Sequence, residues 1–305
     1  MNLRFHRTRA VRPLHALALI AGAIVLAACG TEADDAKAPA PSGKASAPST
    51  EAEIGHVHGV AMDPADRSVY IAAHFGVFKI ESPDRASRVG TSRQDTMGFT
   101  IVGPRSFVAS GHPAMDDMKK KGVPPHLGLI RSADAGQTWT TVSEAGKADF
   151  HALQQAGQTL YAFDSQTQRV RHSRDGGRTW TLGERLDVND LGAHKERPEE
   201  VYAATPDGLL KSNDSGGSFK VVGDAPVLTH VDVVDGRTLI GVAPDGQVQV
   251  KADGAGWQRL GRLPSGQAAA FTAVDERHLL AAAEDASVYE SRDGGRTFNV
   301  LYGAR

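Results

Sequence analysis

Ser173-Arg174-Asp175-Gly176-Gly177-Arg178-Thr179-Trp180 is one of four close copies of a single pattern, Ser-x-Asp-x-Gly-x-Thr/Ser-aromatic. The others are Ser132 to Trp139, Ser212 to Phe219 and Ser291 to Phe298. Two weaker copies keep the beat, Ser82-Pro83-Asp84 ahead of the series and Lys251-Ala252-Asp253-Gly254-Ala255-Gly256-Trp257 within it. The spacing is about 40 residues, which marks a repeat architecture before any other feature is considered. In each copy Gly supplies the backbone angles of a turn, and the Asp and Ser side chains can bond nearby backbone amides.

Between the copies lie short strand-like runs bounded by Gly, Pro and Asp, such as Val69 to Ala73, Leu160 to Phe163, Val201 to Ala204 and Leu279 to Ala283, with no convincing helix. Several repeats read as four strands, A to D; in the fourth they are Val188 to Leu191, Val201 to Ala204, Leu209 to Ser212 and Phe219 to Val222. Four antiparallel strands at this period describe a propeller blade, and six units describe an all-β, six-bladed ring over residues 54–305. The repeated pattern then falls on the C-D hairpins. Its aromatics, Trp139, Trp180, Phe219, Trp257 and Phe298, are expected to pack between blades.

These motifs resemble the Asp-box, or BNR, repeats of sialidases, sortilin-type receptors and related propellers. The resemblance implies the propeller fold and a structural role for Asp134, Asp175, Asp214 and Asp293, because in those families the box lies away from the active site. With the lipobox-like segment described next, the chain also resembles bacterial BNR-repeat lipoproteins classed with glycosyl hydrolases.

Arg4, Arg7, Arg9 and Arg12 precede an apolar run from Leu14 to Ala28, the order of a secretory signal. Leu26-Ala27-Ala28-Cys29-Gly30 resembles the lipobox of bacterial lipoproteins, and Cys29 is the chain's single cysteine. Residues 1–28 are therefore expected to be a signal peptide and Cys29 the lipidated first residue of the mature chain. Residues 29–53, rich in Ala, Pro, Ser and Lys, are expected to be a flexible tether. The chain is expected to be exported and lipid-anchored to the bacterial membrane, facing the periplasm or the cell exterior, with the protein a monomer. Removing the signal takes four arginines and no acids from a net charge of -2, which argues against nucleic-acid binding.

In a four-stranded meander the A-B and C-D turns share one face, and the starts of the A strands share the other with the B-C loops. Registering the blades on Tyr70, Phe107, Tyr161, Tyr202, Ile240 and Leu280 aligns His58, Met97, His151, Asp190, His230 and Ala270 near the start of strand A. His56 and Asp149 lie two residues earlier, on the same side of the pleat. His74 falls in the first B-C loop and Asp164 at the end of a B strand. The one large insertion, His112 to His126, is a B-C loop over the same mouth.

Imidazole suits copper, zinc or nickel, and the thioethers of Met97, Met115 and Met118 favour Cu(I). The mouth is therefore expected to bind a transition metal such as copper through His58, His151 and His230, with His56, His74, His112 and Met97 as further ligands and Asp149 or Asp164 orienting them. A glycoside hydrolase acting on glycans is the alternative, and a scaffold presenting its loops to an envelope protein is a third reading. The sialidase pattern itself is missing, since no arginine triad falls at A-strand starts and the tyrosines Tyr70, Tyr161, Tyr202, Tyr289 and Tyr302 lie away from the mouth. Asp149, Asp164, Asp187, Asp190 and Glu284 are the carboxylates open to another glycosidase.

Overall fold

The structure, a computed structural model, describes residues 54–303. The expected signal, Cys29 and the tether lie outside the described residues.

Six four-stranded antiparallel sheets follow one another along the chain, each built from consecutive strands. Blade 1 holds β1 (Val57–Met62), β2 (Val69–Ala73), β3 (Gly76–Ser82) and β4 (Arg85–Arg88). Blade 2 holds β5 (Asp95–Gly103), β6 (Ser106–His112), β7 (Leu129–Ser132) and β8 (Thr140–Ser143), with one helical turn, α1 (Met115–Met118), in the insertion. Blade 3 comprises β9 (Phe150–Ala156), β10 (Thr159–Asp164), β11 (Arg169–Ser173) and β12 (Thr181–Arg185), and blade 4 comprises β13 (Asp190–His194), β14 (Arg197–Thr205), β15 (Gly208–Ser212) and β16 (Lys220–Val221). Blade 5 runs through β17 (His230–Val234), β18 (Thr238–Val242), β19 (Gln247–Lys251) and β20 (Gln258–Arg262), and blade 6 through β21 (Ala270–Ala273), β22 (Leu279–Ala282), β23 (Val288–Ser291) and β24 (Asn299–Tyr302). The six-bladed propeller expected from the repeat is the observed fold. Blade 4 differs in detail: its first strand starts at Asp190, later than the sequence suggests, and its outermost strand keeps only Lys220 and Val221.

Each blade interface has its own apolar core. The motif aromatics pack where expected, each against the preceding blade: Trp139 between blades 1 and 2, Trp180 between 2 and 3, Phe219 between 3 and 4, Trp257 between 4 and 5, Phe298 between 5 and 6. Blades 6 and 1 close the ring by the same kind of packing, with Leu280 and Val288 against Val60 and Ile71 and, among the described residues, with no shared strand. Two hydrogen bonds reinforce the seam, from Thr272 Oγ1 to Val60 O (2.6 Å) and from Gly303 N to Pro83 O (3.0 Å).

The four strong motif copies form the same hydrogen-bonded turn. In the first, Ser132 Oγ donates to Asp134 Oδ1 and accepts from Gly136 N, while Asp134 accepts from the amide and hydroxyl of Thr138. Asp175, Asp214 and Asp293 repeat these bonds. The Thr138 hydroxyl and amide, with Ser132, hold the Asp134 carboxyl down at about 2. Gly177 shows why the glycine is needed: its φ is +88°, and a Cβ there would collide with Leu129 of the preceding blade. These side chains build the turn.

Candidate metal centre

The first strands of the six blades neighbour one another round the ring. Three of them are irregular at their start. Between Val57 and Gly59, between Thr96 and Gly98, and between Phe150 and Ala152, one extra residue opposes a single step of the partner strand. The extra residues are His58, Met97 and His151, three of the six aligned from the sequence. A bulge of this kind breaks the ladder and re-aims side chains. In blades 4 to 6 the aligned residues Asp190, His230 and Ala270 sit in unbroken register.

Two groups of donors form at the bulged side. His58, His74 and Asp95 make the first and His112, His126 and Asp149 the second, the donor atoms within each lying inside 4.8 Å of one another. In the first, Asp95 Oδ1 is 3.8 Å from His58 Nε2 and 3.9 Å from His74 Nε2. In the second, Asp149 Oδ2 is 3.3 Å from His112 Nε2 and 3.9 Å from His126 Nδ1. Metal–ligand bonds of about 2.0–2.1 Å in a tetrahedron separate donors by roughly 3.3 Å, so each group needs only a small contraction around an ion. Both His/Asp groups could hold a metal. Three protein donors leave a fourth position open.

His58 Nε2 and Asp95 Oδ1 in the first group, and His126 Nδ1 and Asp149 Oδ1 in the second, are buried without a hydrogen-bond partner. Such atoms normally find partners, and leaving one bare costs about 1–3 kcal/mol. The protonation states also suit ligation. Burial pushes the His58 imidazole down to about 4; Asp95 pulls the other way, and His74, His151 and His56 add to the effect of burial. Burial acts to raise the Asp149 carboxyl, but the hydrogen bond and charge of His151, with His112 and Ser165, outweigh it and hold Asp149 at about 2. At neutral pH His58 is a free lone pair and Asp149 an anion, the forms a metal takes.

The other expected residues surround these groups. His151 Nε2 lies 2.9 Å from Asp149 Oδ2. His56 stacks on His74 at 5.2 Å and pairs with Glu284 of blade 6 at 3.1 Å. Met97 occupies the blade 2 bulge. Met115 lines a recess with His74, Phe75 and Asp95. Asp164 is wholly buried, bonds Arg171 at 2.5 Å and accepts from the Asp149 amide at 3.1 Å, so it holds the backbone under the second group.

The expected convergence of His58, His151 and His230 does not occur, since neither donor group contains His151 or His230. His230 lies deeper, lining a cavity of about 310 Å³ with His58, His151, Asp190 and Asp232. Its Nδ1 is 3.0 Å from Thr229 Oγ1 and its Nε2 3.3 Å from Ala269 O, and burial pushes it down to about 4. Two members of the donor groups, Asp95 and His126, are not among the ligands expected from the sequence. Asp95 stands two residues before Met97, the same offset that marks His56 and Asp149. His126 ends the insertion, and Leu127 N bonds Gly111 O (2.8 Å) across its neck, bringing the His126 and His112 rings to 5.4 Å.

No family model and no curated protein matches the chain. Solved structures with a similar fold include the GH74 xyloglucanase from Xanthomonas campestris (18% identity, TM-score 0.54), matched over 81% of this chain and 38% of that one. A chain of a nidogen/laminin complex is similar at 11% identity and TM-score 0.59, over 77% of this chain and 93% of that one. YCF48 bound to D1 peptide is similar at 12% and 0.51, over 81% and 82%. The chain spans little more than a third of the length of the GH74 enzymes. At these identities the likeness shows the propeller fold.

Proposed function

We propose that the protein is an exported, lipid-anchored propeller that binds transition-metal ions at its histidine-rich mouth, one at His58, His74 and Asp95 and one at His112, His126 and Asp149. The observation that carries this reading is the set of buried donors without partners, two in each group. Imidazole with carboxylate suits zinc and copper(II), and copper stands at the top of the divalent affinity order. Met115, beside the first group, adds a thioether suited to Cu(I). Copper is therefore the ion we expect, with Cys29 fixing the chain to the membrane that supplies or receives it.

The test is metal analysis of untagged protein purified from its own envelope, followed by calorimetric titration of the chelator-treated protein with Cu²⁺ and Zn²⁺. Bound copper, lost in a His58→Ala/His126→Ala double variant, is the expected result; a parent that takes up neither ion overturns the reading.

A glycoside hydrolase is the second reading, favoured by a split between carboxylates at the mouth. Asp149 is held ionised at about 2, while burial and, to a lesser degree, the neighbouring Asp232 push Asp190 up to about 8, the protonation states that a glycosidase's anionic carboxylate and its acid take. Turnover of aryl glycosides or xyloglucan fragments that disappears in Asp149→Ala and Asp190→Asn would support it. Asp164, tied to Arg171, is a poor catalyst on this reading. A protein-binding scaffold would use the insertion, where Met115 is 70% and Met118 50% exposed. Its mark is an envelope partner lost on deleting residues 113–125.

A further inference from the structure

Asp95 turns its two oxygens to different neighbours. Oδ1 faces His58 and His74 at 3.8 and 3.9 Å, and Oδ2 faces His112 Nδ1 at 3.4 Å. The other nitrogen of the same ring, His112 Nε2, lies 3.3 Å from Asp149 Oδ2 in the second group. One carboxylate and one imidazole therefore join the two groups end to end.

The backbone fixes this junction. Asp95 and His112 are opposite partners across β5 and β6. Gly111, at φ +136°, lies so close to Asp95 that a Cβ would strike its carbonyl, and the neck bond from Leu127 N to Gly111 O holds His126 beside His112.

We infer, on the reading that both groups take divalent cations, that they form one linked two-ion centre in which Asp95 serves both. Through Oδ1 it ligates the ion shared with His58 and His74. Through Oδ2 it accepts the Nδ1–H of His112, which leaves Nε2 free to ligate the second ion with His126 and Asp149. An imidazole that binds metal through one nitrogen keeps its remaining proton on the other, and a carboxylate there fixes tautomer and ring orientation. What is unusual is that the orienting carboxylate is itself a ligand of another ion. His151, on Asp149 Oδ2 at 2.9 Å, braces the far end. Loading forms coordinate bonds only: protons carried by the donor nitrogens leave to solvent and no electron is transferred.

The consequence is an asymmetry between variants. Chelator-treated full-length mature protein is titrated with Zn²⁺, counting ions per chain and measuring both dissociation constants. The parent binds two. His74→Ala weakens or loses the first ion and leaves the second constant within about threefold. Asp95→Ala loses the first and also weakens the second by about 10–100-fold, the usual effect of removing a carboxylate that orients a ligating histidine. Asp95→Asn, whose amide oxygen still accepts from His112, restores the second constant toward the parent value. An independent arm needs no variant: ¹⁵N NMR of the Zn²⁺-loaded parent shows the His112 proton on Nδ1. A parent that binds one ion, an Asp95→Ala second constant equal to that of His74→Ala, or a His112 proton on Nε2 overturns the link. A parent that binds no Zn²⁺ overturns the metal reading beneath it, a result distinguishable from each of these.

Discussion

At the start of the first strands, blades 1 to 3 carry an extra residue each, His58, Met97 and His151, while blades 4 to 6 place Asp190, His230 and Ala270 in regular register. On the regular side the polar side chains serve the fold. Asp190 accepts from Val231 N of the next blade, and Asp232 accepts from Val233 N, Ala273 N and the Gln154 amide. On the bulged side the ladder is interrupted, and His58 Nε2, Asp95 Oδ1, His126 Nδ1 and Asp149 Oδ1 are left buried without hydrogen-bond partners. At the aligned position itself, Asp190 is bonded to the next blade, whereas His58 Nε2 is left bare beside Asp95 in a group that could hold a metal. What decides between them is whether the neighbouring backbone already uses the polar atoms.

The largest effect is expected beneath the bulged half. Asp164→Ala would leave the buried Arg171 facing only Glu144 and the Asp149 amide without its acceptor. Breaking a buried pair from one side costs about 3–5 kcal/mol, and denaturant unfolding should show this loss with or without metal. A loss that appeared only with metal present would move Asp164 from support to ligation. Next comes the regular half. Asp232→Ala strips the acceptor from Val233 N and Ala273 N, and at about 1–3 kcal/mol for each orphaned amide a destabilisation near 3 kcal/mol is expected. Metal content should not change. If it fell, the separation of the two halves would be wrong.

The repeat made the propeller legible because a turn motif with a positive-φ glycine and a core aromatic leaves a local, periodic trace, as Gly177 and Trp180 show. The mouth was legible in outline for the same reason: blade register carries one position to another, and it picked out all three bulge residues. The grouping within the mouth was not legible. His58, His151 and His230 share a register, but a bulge changes the direction of a side chain without changing its place in an alignment, so His230 stayed with Thr229 and Ala269. Asp95 was overlooked although it has the offset of Asp149. Its importance comes from His112, 17 residues away across a hairpin, and a pairing of that kind has no signature in composition or spacing.

Metal itself gives the third contrast. A ligand that binds only the native state stabilises it by about 2.7 kcal/mol per site at a hundred times that site's dissociation constant, so Zn²⁺ at that excess should raise the unfolding midpoint of the two-site parent. Asp232→Ala, though weaker at the outset, should gain the same increment. His58→Ala/His126→Ala should gain almost none. Equal gains in all three would locate the ions elsewhere on the propeller.

The smallest expected effect is also the most selective, because it isolates one group of the regular half by pH. Burial, reinforced by Asp232, pushes Asp190 up to about 8, far above an unfolded aspartate near 4. Between those values the native chain holds a proton that the unfolded chain has released, so the contribution of Asp190 is fullest below about pH 4 and is lost as pH rises toward 8. The slope is at most about 1.4 kcal/mol per pH unit for one proton. Asp232, raised by burial to about 6, and His230, lowered by burial to about 4, line the same cavity. Their differences from the unfolded chain lie below about pH 6.5, which leaves the window from 6.5 to 8 to Asp190. In Asp190→Asn the amide oxygen can still accept from Val231 N while the titration is gone. The stability of the variant relative to the parent should therefore climb from pH 6.5 to 8 and then level off. A difference that stays flat through that window would mean that Asp190 is already ionised in the native state.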